Sequence, residues 1–207
     1  MRILLLVGLV SCSLSAQIVS VGVKGGVPIN DALDAVQGPG SVYAVTNHPY
    51  LVGGTVQLNL PARFSIEVDG LYRRLGYENQ VPIFVTGVPN PGAVTTRTTA
   101  NSWEFPVLGK YAFLPGPIRP FVDAGANFRH IMGAEQTGGQ VAGVAELAHD
   151  FTTGFTFGGG VELKIAKIRI SPELRYTHWG SESFRDPVNS LLHTNLNQGD
   201  FMLGITF

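Results

Sequence analysis

Cysteine is almost missing from this 207-residue sequence: Cys12 is the single one. One thiol cannot close an intramolecular disulfide or build a thiolate metal cluster. Charge is scarce as well, at 14% of residues against roughly 25% in an ordinary soluble domain, and Lys plus Arg nearly balance Asp plus Glu at a formal net charge of −1. With no positive surplus and no basic cluster, the chain has no field that gathers a polyanion, which excludes nucleic acid as a partner. No apolar run approaches the ~20 residues of a transmembrane helix, and a 3.6-residue period is hard to find. Yet 44% of the residues are hydrophobic, too many for a disordered chain. If such a chain crosses a membrane, it does so as strands closed on themselves, because every backbone polar group in hydrocarbon needs an internal partner.

What is present begins with an export pattern. Arg2 supplies positive charge, Ile3 to Val10 form a short apolar core, and Ser11 to Ala16 are mostly small. Residues 1–16 are read as a signal peptide cleaved after Ala16, leaving residues 17–207 as one domain without cysteine. Leu9, Val10, Ser11 and Cys12 also resemble a lipobox, so lipoprotein processing at Cys12 stays open as the alternative.

From Gln17 onward the period is two, the mark of strands with unlike faces. Eight such segments run at about 19–27, 52–60, 64–73, 103–113, 120–129, 155–164, 168–177 and 200–207. Pro106, Pro120 and Pro172 fall within them, and since proline cannot donate to a ladder, each marks an expected strand end or bulge. The connections alternate in length. Residues 61–63, 114–117 and 165–167 are short turns, whereas 28–49, 78–100, 131–150 and 180–197 are long and rich in Gly, Pro, Asn and Ser. An up-and-down barrel puts its short turns on one rim and its long loops on the other. The expected fold is therefore all-β: an eight-stranded antiparallel up-and-down transmembrane β-barrel.

The less apolar face of each strand says which side points inward. It carries glycines at Gly22, Gly26, Gly53, Gly125, Gly158, Gly160 and Gly204, which suit a cramped lumen. It also carries Lys24, Arg73, Lys110, Arg129, Lys164, Arg169 and Arg175 against Glu67, Asp69, Glu104, Asp123, Glu162, Glu173 and Asp200. Balanced sign is what a plugged interior requires, because an unpaired charge there costs several kcal/mol. These fourteen residues are the expected lumen charge network. Tyr50, Tyr72, Trp103 and Tyr176 near the loops, and Phe64, Phe113 and Phe207 near the turns, fit two interfacial girdles.

The final stretch from Phe201 to Phe207 alternates and ends on an aromatic ring, with Phe201, Leu203, Ile205 and Phe207 on one face. It is similar to the assembly signal of bacterial outer-membrane proteins. Trp103 to Tyr111, Arg119 to Gly125 and Pro172 to Tyr176 resemble segments of the porin-like outer membrane protein beta-barrel domain family, and the likeness covers nearly all of residues 17–207. The resemblance implies an integral barrel of the bacterial outer membrane, contacting its lipids and, during biogenesis, the barrel assembly machinery.

Chemistry is harder to find. His178 with Ser181 and Glu182 invites comparison with the Ser-His-acid arrangement of lipid A deacylases, but the His-x-Ser spacing of those enzymes is missing. His48, His130, His149 and His193 lack paired metal-ligand spacing. Gly158, Gly159 and Gly160 precede neither a helix nor a Gly-Lys-Ser/Thr sequence, so they are not a phosphate loop. The expectation is a non-enzymatic scaffold without catalytic residue, cofactor or metal, meeting an extracellular or envelope partner through its loops. A narrow or gated porin-like channel is the alternative. A lipid A-modifying enzyme and a soluble periplasmic binding barrel are the remaining classes.

Overall fold

Alternation of β-branched and aromatic residues with small and polar ones makes the described residues nearly all strand. The computed structural model describes residues 18–30, 33–35, 42–45, 50–82, 93–138, 146–147, 150–181, 184–185 and 192–207. Residues 1–16, the expected signal peptide with Cys12, lie outside the described residues. Eight antiparallel strands make the barrel wall: β1 Val19–Pro28, β2 Leu51–Asn59, β3 Phe64–Pro82, β4 Ala93–Ala112, β5 Ile118–Gly138, β6 Phe151–Ile165, β7 Ile168–Trp179 and β8 Asn197–Thr206. Each pairs with its neighbour in sequence, and β8 pairs back onto β1 from Gly22 with Thr206 to Pro28 with Asp200, closing the wall.

The register fixes the barrel's girth. A transverse row leads from Val19 through Leu58, Ile66, Gly109, Ala124, Phe157, Tyr176 and Gly199, and returns to β1 at Ile29, whose N–H donates to the Gly199 carbonyl. The row thus comes back ten residues beyond its start, from 19 to 29. With strands ~4.8 Å apart rising ~3.3 Å per residue, that stagger gives a tilt of about 40° and a backbone radius of about 8 Å. Such a lumen holds side chains and little else.

Side chains segregate by parity, as β7 shows. Arg169, Ser171, Glu173, Arg175, Thr177 and Trp179 are buried inward, while Ile168, Leu174 and His178 are exposed on the outer wall. The outer wall elsewhere is Val19, Val21, Val23, Val52, Val56, Ile66, Phe105, Val107, Phe155, Phe157, Phe201 and Leu203, all exposed. A water-soluble protein does not display so continuous an apolar belt. Arrangement around a polar interior is the inverse of a soluble core and matches a wall that faces lipid.

Three departures from the sequence expectation have physical causes. First, β3, β4 and β5 run 19, 20 and 21 residues, well past the expected ends near 73, 103 and 129. Their upper parts pair Thr95, Thr96, Arg97, Thr98 and Thr99 with Gln80, Asn79, Glu78, Tyr77 and Gly76. β-Branched threonine favours strands, but without an apolar face the period of two is invisible to hydrophobicity. Since ~9–11 residues of tilted strand cross a bilayer, these three strands rise about 20 Å beyond it as a wall on one side of the loop rim.

Second, the three prolines lie inside strands. Pro106 coincides with a lapse of the β3–β4 ladder between Val68 and Leu71, and Pro172 with a lapse of the β6–β7 ladder between Ile170 and Glu173. Third, the long connections contain strands of their own. Val42–Val45 pairs with Tyr77 to Gln80 of β3, and Leu33–Ala35, Leu192–Thr194, Phe184–Arg185 and Glu146–Leu147 form a separate four-stranded antiparallel sheet in that order. That sheet joins the connections after β1, β5 and β7 to one another.

Candidate functional site

The lumen is built from the inward-facing positions of all eight strands, and its charges sort into three tiers. Nearest the turns, Glu162 of β6 pairs with Arg119 of β5 and lies 4.0 Å from Arg169 Nε of β7. Arg169 Nη1 also donates to Asn59 Oδ1 at 3.3 Å, and Gln57 Nε2 donates to the same oxygen at 2.9 Å and to Ser65 Oγ at 3.1 Å.

The middle tier is the densest. Arg175 spreads its guanidinium over three carboxylates, with Nε donating to Glu173 at 2.7 Å, Nη1 to Asp69 at 2.9 Å and Nη2 to Glu67 at 3.3 Å. Lys24, from the opposite side of the seam, meets the same three: it pairs with Glu67 and reaches Glu173 at 3.0 Å and Asp69 at 3.5 Å. Lys110 donates to the other Glu67 oxygen at 3.2 Å, and its ammonium sits 3.7 Å from the Phe121 ring centroid. Gly204 gives Lys24 its path, since a Cβ there would lie 3.4 Å from the lysine Cγ and Cε and 2.7 Å from Ser171 Oγ. Gly158 likewise leaves space for Asp123, whose Oδ1 would be 2.7 Å from an added Cβ.

Toward the loops, Arg73 Nη2 donates to both Asp200 oxygens at 2.9 and 3.0 Å and lies 3.4 Å from Glu104 through Nε. Arg129 Nη2 donates to Glu104 at 2.9 Å and to Gln198 at 2.5 Å, and its guanidinium stacks 3.8 Å from the ring of Trp179. Trp179 is fully buried, and Leu75, Ile131 and Ala100 are buried at this end too. Leu51, Leu71 and Met202 pack together as an apolar cluster.

Two of the fourteen expected network residues stand apart from these pairings. Lys164 has the inward parity of Glu162 but sits at the very end of β6, where it is exposed. Its place is taken by Arg119, which lies between the expected turn 114–117 and the expected segment 120–129 and shares the parity of Phe121 and Asp123. Asp123 is buried to 4% exposure, but neither of its carboxylate oxygens has a hydrogen-bond partner among the described residues. Of the terminal segment, Phe201 and Leu203 are exposed on the outer wall opposite Val27 and Gly25 of β1, Ile205 faces Val23, and the Phe207 N–H donates to Val21.

Among the described residues, those considered for catalysis or metal binding form no cluster. His178 is exposed on the outer wall, where its Nδ1 lies 2.9 Å from Asn197 Oδ1, which also accepts from the Tyr176 hydroxyl at 2.5 Å. Glu182, His48 and His149 lie outside the described residues, and His193 is described by its backbone alone. Among the described residues no three His, Cys, Asp or Glu side chains cluster as a metal site.

Aromatic side chains do form two groups on the wall. Tyr72 and Trp103 contact at 5.5 Å near the loops, where the Tyr72 hydroxyl donates to Asn101. Phe64, Tyr111 and Phe113 contact at 4.8 and 5.4 Å near the turns.

Residues 15–180 match the family model described as "Outer membrane protein beta-barrel domain". No curated protein sequence matches the chain. Among solved structures, the outer membrane protein OprG from Pseudomonas aeruginosa superposes with a TM-score of 0.59 at 11% identity, covering 91% of this chain and 92% of that one. Neisserial surface protein A superposes with a TM-score of 0.52 at 10% identity, covering 91% and 95%. At these identities the likeness is one of fold.

Proposed function

The chain belongs to the outer membrane protein beta-barrel domain family, and from that premise we propose that it is a non-enzymatic scaffold with a plugged lumen, working through its loop rim. The observation that carries this is the filled interior. The ion pairs of Lys24, Arg73, Lys110, Arg119, Arg129, Arg169 and Arg175 span the barrel from the turn end to the buried Trp179. The polar recess at the turn end, lined by Gln57, Asn59, Arg119 and Glu162, is only about 70 Å³ and stops at Lys110. What remains accessible is the loop rim, where β3 to β5 form a wall and a small sheet ties three connections together. An ordered platform suits binding a partner, because the ordering cost is met on folding. In this reading residues 1–16 direct export, Phe201, Leu203, Ile205 and Phe207 are read by the barrel assembly machinery, and the partner sits outside or in the envelope.

Planar-bilayer recording of the purified barrel tests the closed lumen. The expected result is silence at every voltage the membrane tolerates. Stable unitary currents would replace the plugged scaffold with a narrow, gated channel.

A further inference from the structure

The outer wall is indented where β4, β5 and β6 meet. Gly109 and Ala124 face each other there in register, and Phe157 stands beside Ala124 on the same row. These two small outward groups thus lie between rings: Phe64 and Tyr111 on one flank, Phe157 on the other, with Val122 at the turn-side end. The open groove they flank is about 390 Å³ and mostly apolar. A void of this size is within the range of small-molecule sites, and in hydrocarbon it does not stay empty.

A cation stands beyond the Tyr111 ring that closes the groove on the turn side, at the rim of the polar recess. Ala62 and Arg63 both adopt left-handed backbone, φ 60° and 69°, and the turn they form brings Arg63 against the next strand. Its Nη1 donates to the Phe113 carbonyl at 2.6 Å, and its guanidinium lies 5.9 Å from the Tyr111 ring that lines the groove. Arg63 is exposed, at the level of the turn-side aromatics, where a bilayer changes from hydrocarbon to headgroup.

We propose that this groove holds one acyl chain of a phospholipid from the turn-side leaflet, with the lipid phosphate bound by Arg63. The apolar depression and the cation share the Tyr111 ring, and their order along the wall is that of a phospholipid, tail toward the membrane centre and anion at the interface. A guanidinium offers paired N–H donors to phosphate oxygens, and one donor anchored on Phe113 holds the fork in place. The inference rests on the membrane-barrel reading, and its failure is separable from that reading because folding and insertion are measured independently.

The test is native mass spectrometry of the full detergent-purified barrel titrated with phosphatidylglycerol. The variants are Arg63→Gln, which removes the cation, Ala124→Leu, which fills the groove, and Val21→Leu, a control elsewhere on the outer wall. All three should keep the heat-dependent gel mobility of a folded barrel. The wild type and Val21→Leu should retain one lipid, and the other two should bind it about tenfold more weakly, the scale of one charge-assisted contact. Equal retention by all four folded proteins, or no lipid on the wild type, overturns the proposal.

Discussion

Replacing Arg175 by methionine should destabilise the barrel more than replacing Lys24, although both meet the same three carboxylates. At about 3 Å and an effective dielectric near 20, each contact is worth about 5 kcal/mol of gross attraction, largely offset by the desolvation of both ions. The net loss therefore depends on what each carboxylate keeps. Without Lys24, Glu67 retains Lys110 at 3.2 Å and Arg175 at 3.3 Å, Asp69 retains Arg175 at 2.9 Å, and Glu173 retains Arg175 at 2.7 Å. Without Arg175, the ion pairs left to Asp69 and Glu173 among the described residues are the 3.5 Å contact of Asp69 to Lys24 and the 3.0 Å contact of Glu173 to Lys24. Lys24→Met should cost about 3 kcal/mol and Arg175→Met about 5, the two ends of the range for breaking a buried pair. Adding Asp69→Asn to Arg175→Met should recover at least about 1 kcal/mol by removing the carboxylate left with the longest contact. Urea titration in lipid vesicles, followed by tryptophan fluorescence and by gel mobility, measures all three. Equal and small losses for the two single variants, with no recovery in the double, would show that the lumen charges are solvated and the tiers carry no energy.

Other outcomes follow from the same geometry. Gly204→Val puts branched carbon against Ser171 and the Lys24 stem and should lower stability by about 1–3 kcal/mol, whereas Gly54→Val on the outer wall should cost less; parallel urea titrations compare them. Trp179→Ala removes the buried ring under Arg129 and should allow brief unitary currents in planar bilayers where the wild type is silent; continued silence would mean the lower tiers suffice to close the lumen. Phe207→Ser should reduce membrane-inserted yield several-fold in cells, while deletion of residues 139–145 should not; equal yields would argue against recognition of β8 by the assembly machinery.

How much was legible depended on whether the signal was hydrophobic. Strand number, parity and turns came from apolar alternation, and the inward placement of Lys24, Glu67, Asp69, Arg73, Glu104, Arg129, Glu173, Arg175 and Asp200 follows from parity alone. The extension of β3 to β5 did not show, because Thr95 to Thr99 alternate between two polar environments above the bilayer. Lys164 and Arg119 mark the limit of parity at strand ends: both are of inward phase beside a turn, yet Lys164 is exposed while Arg119 reaches Glu162. The pairing of particular charges could not be read at all, since it depends on the ten-residue stagger that brings Lys24 level with Glu173 around the seam. The groove at Gly109 and Ala124 was hidden for a related reason: the two residues face outward on different strands, and only the β4–β5 register sets them side by side.

The most direct test of the whole account is cell fractionation followed by electrophoresis of boiled and unboiled samples. A closed barrel held in the outer membrane predicts recovery in the detergent-extracted outer-membrane fraction and a clear mobility difference between the two samples. Recovery in the soluble fraction, with identical mobility before and after boiling, would contradict it.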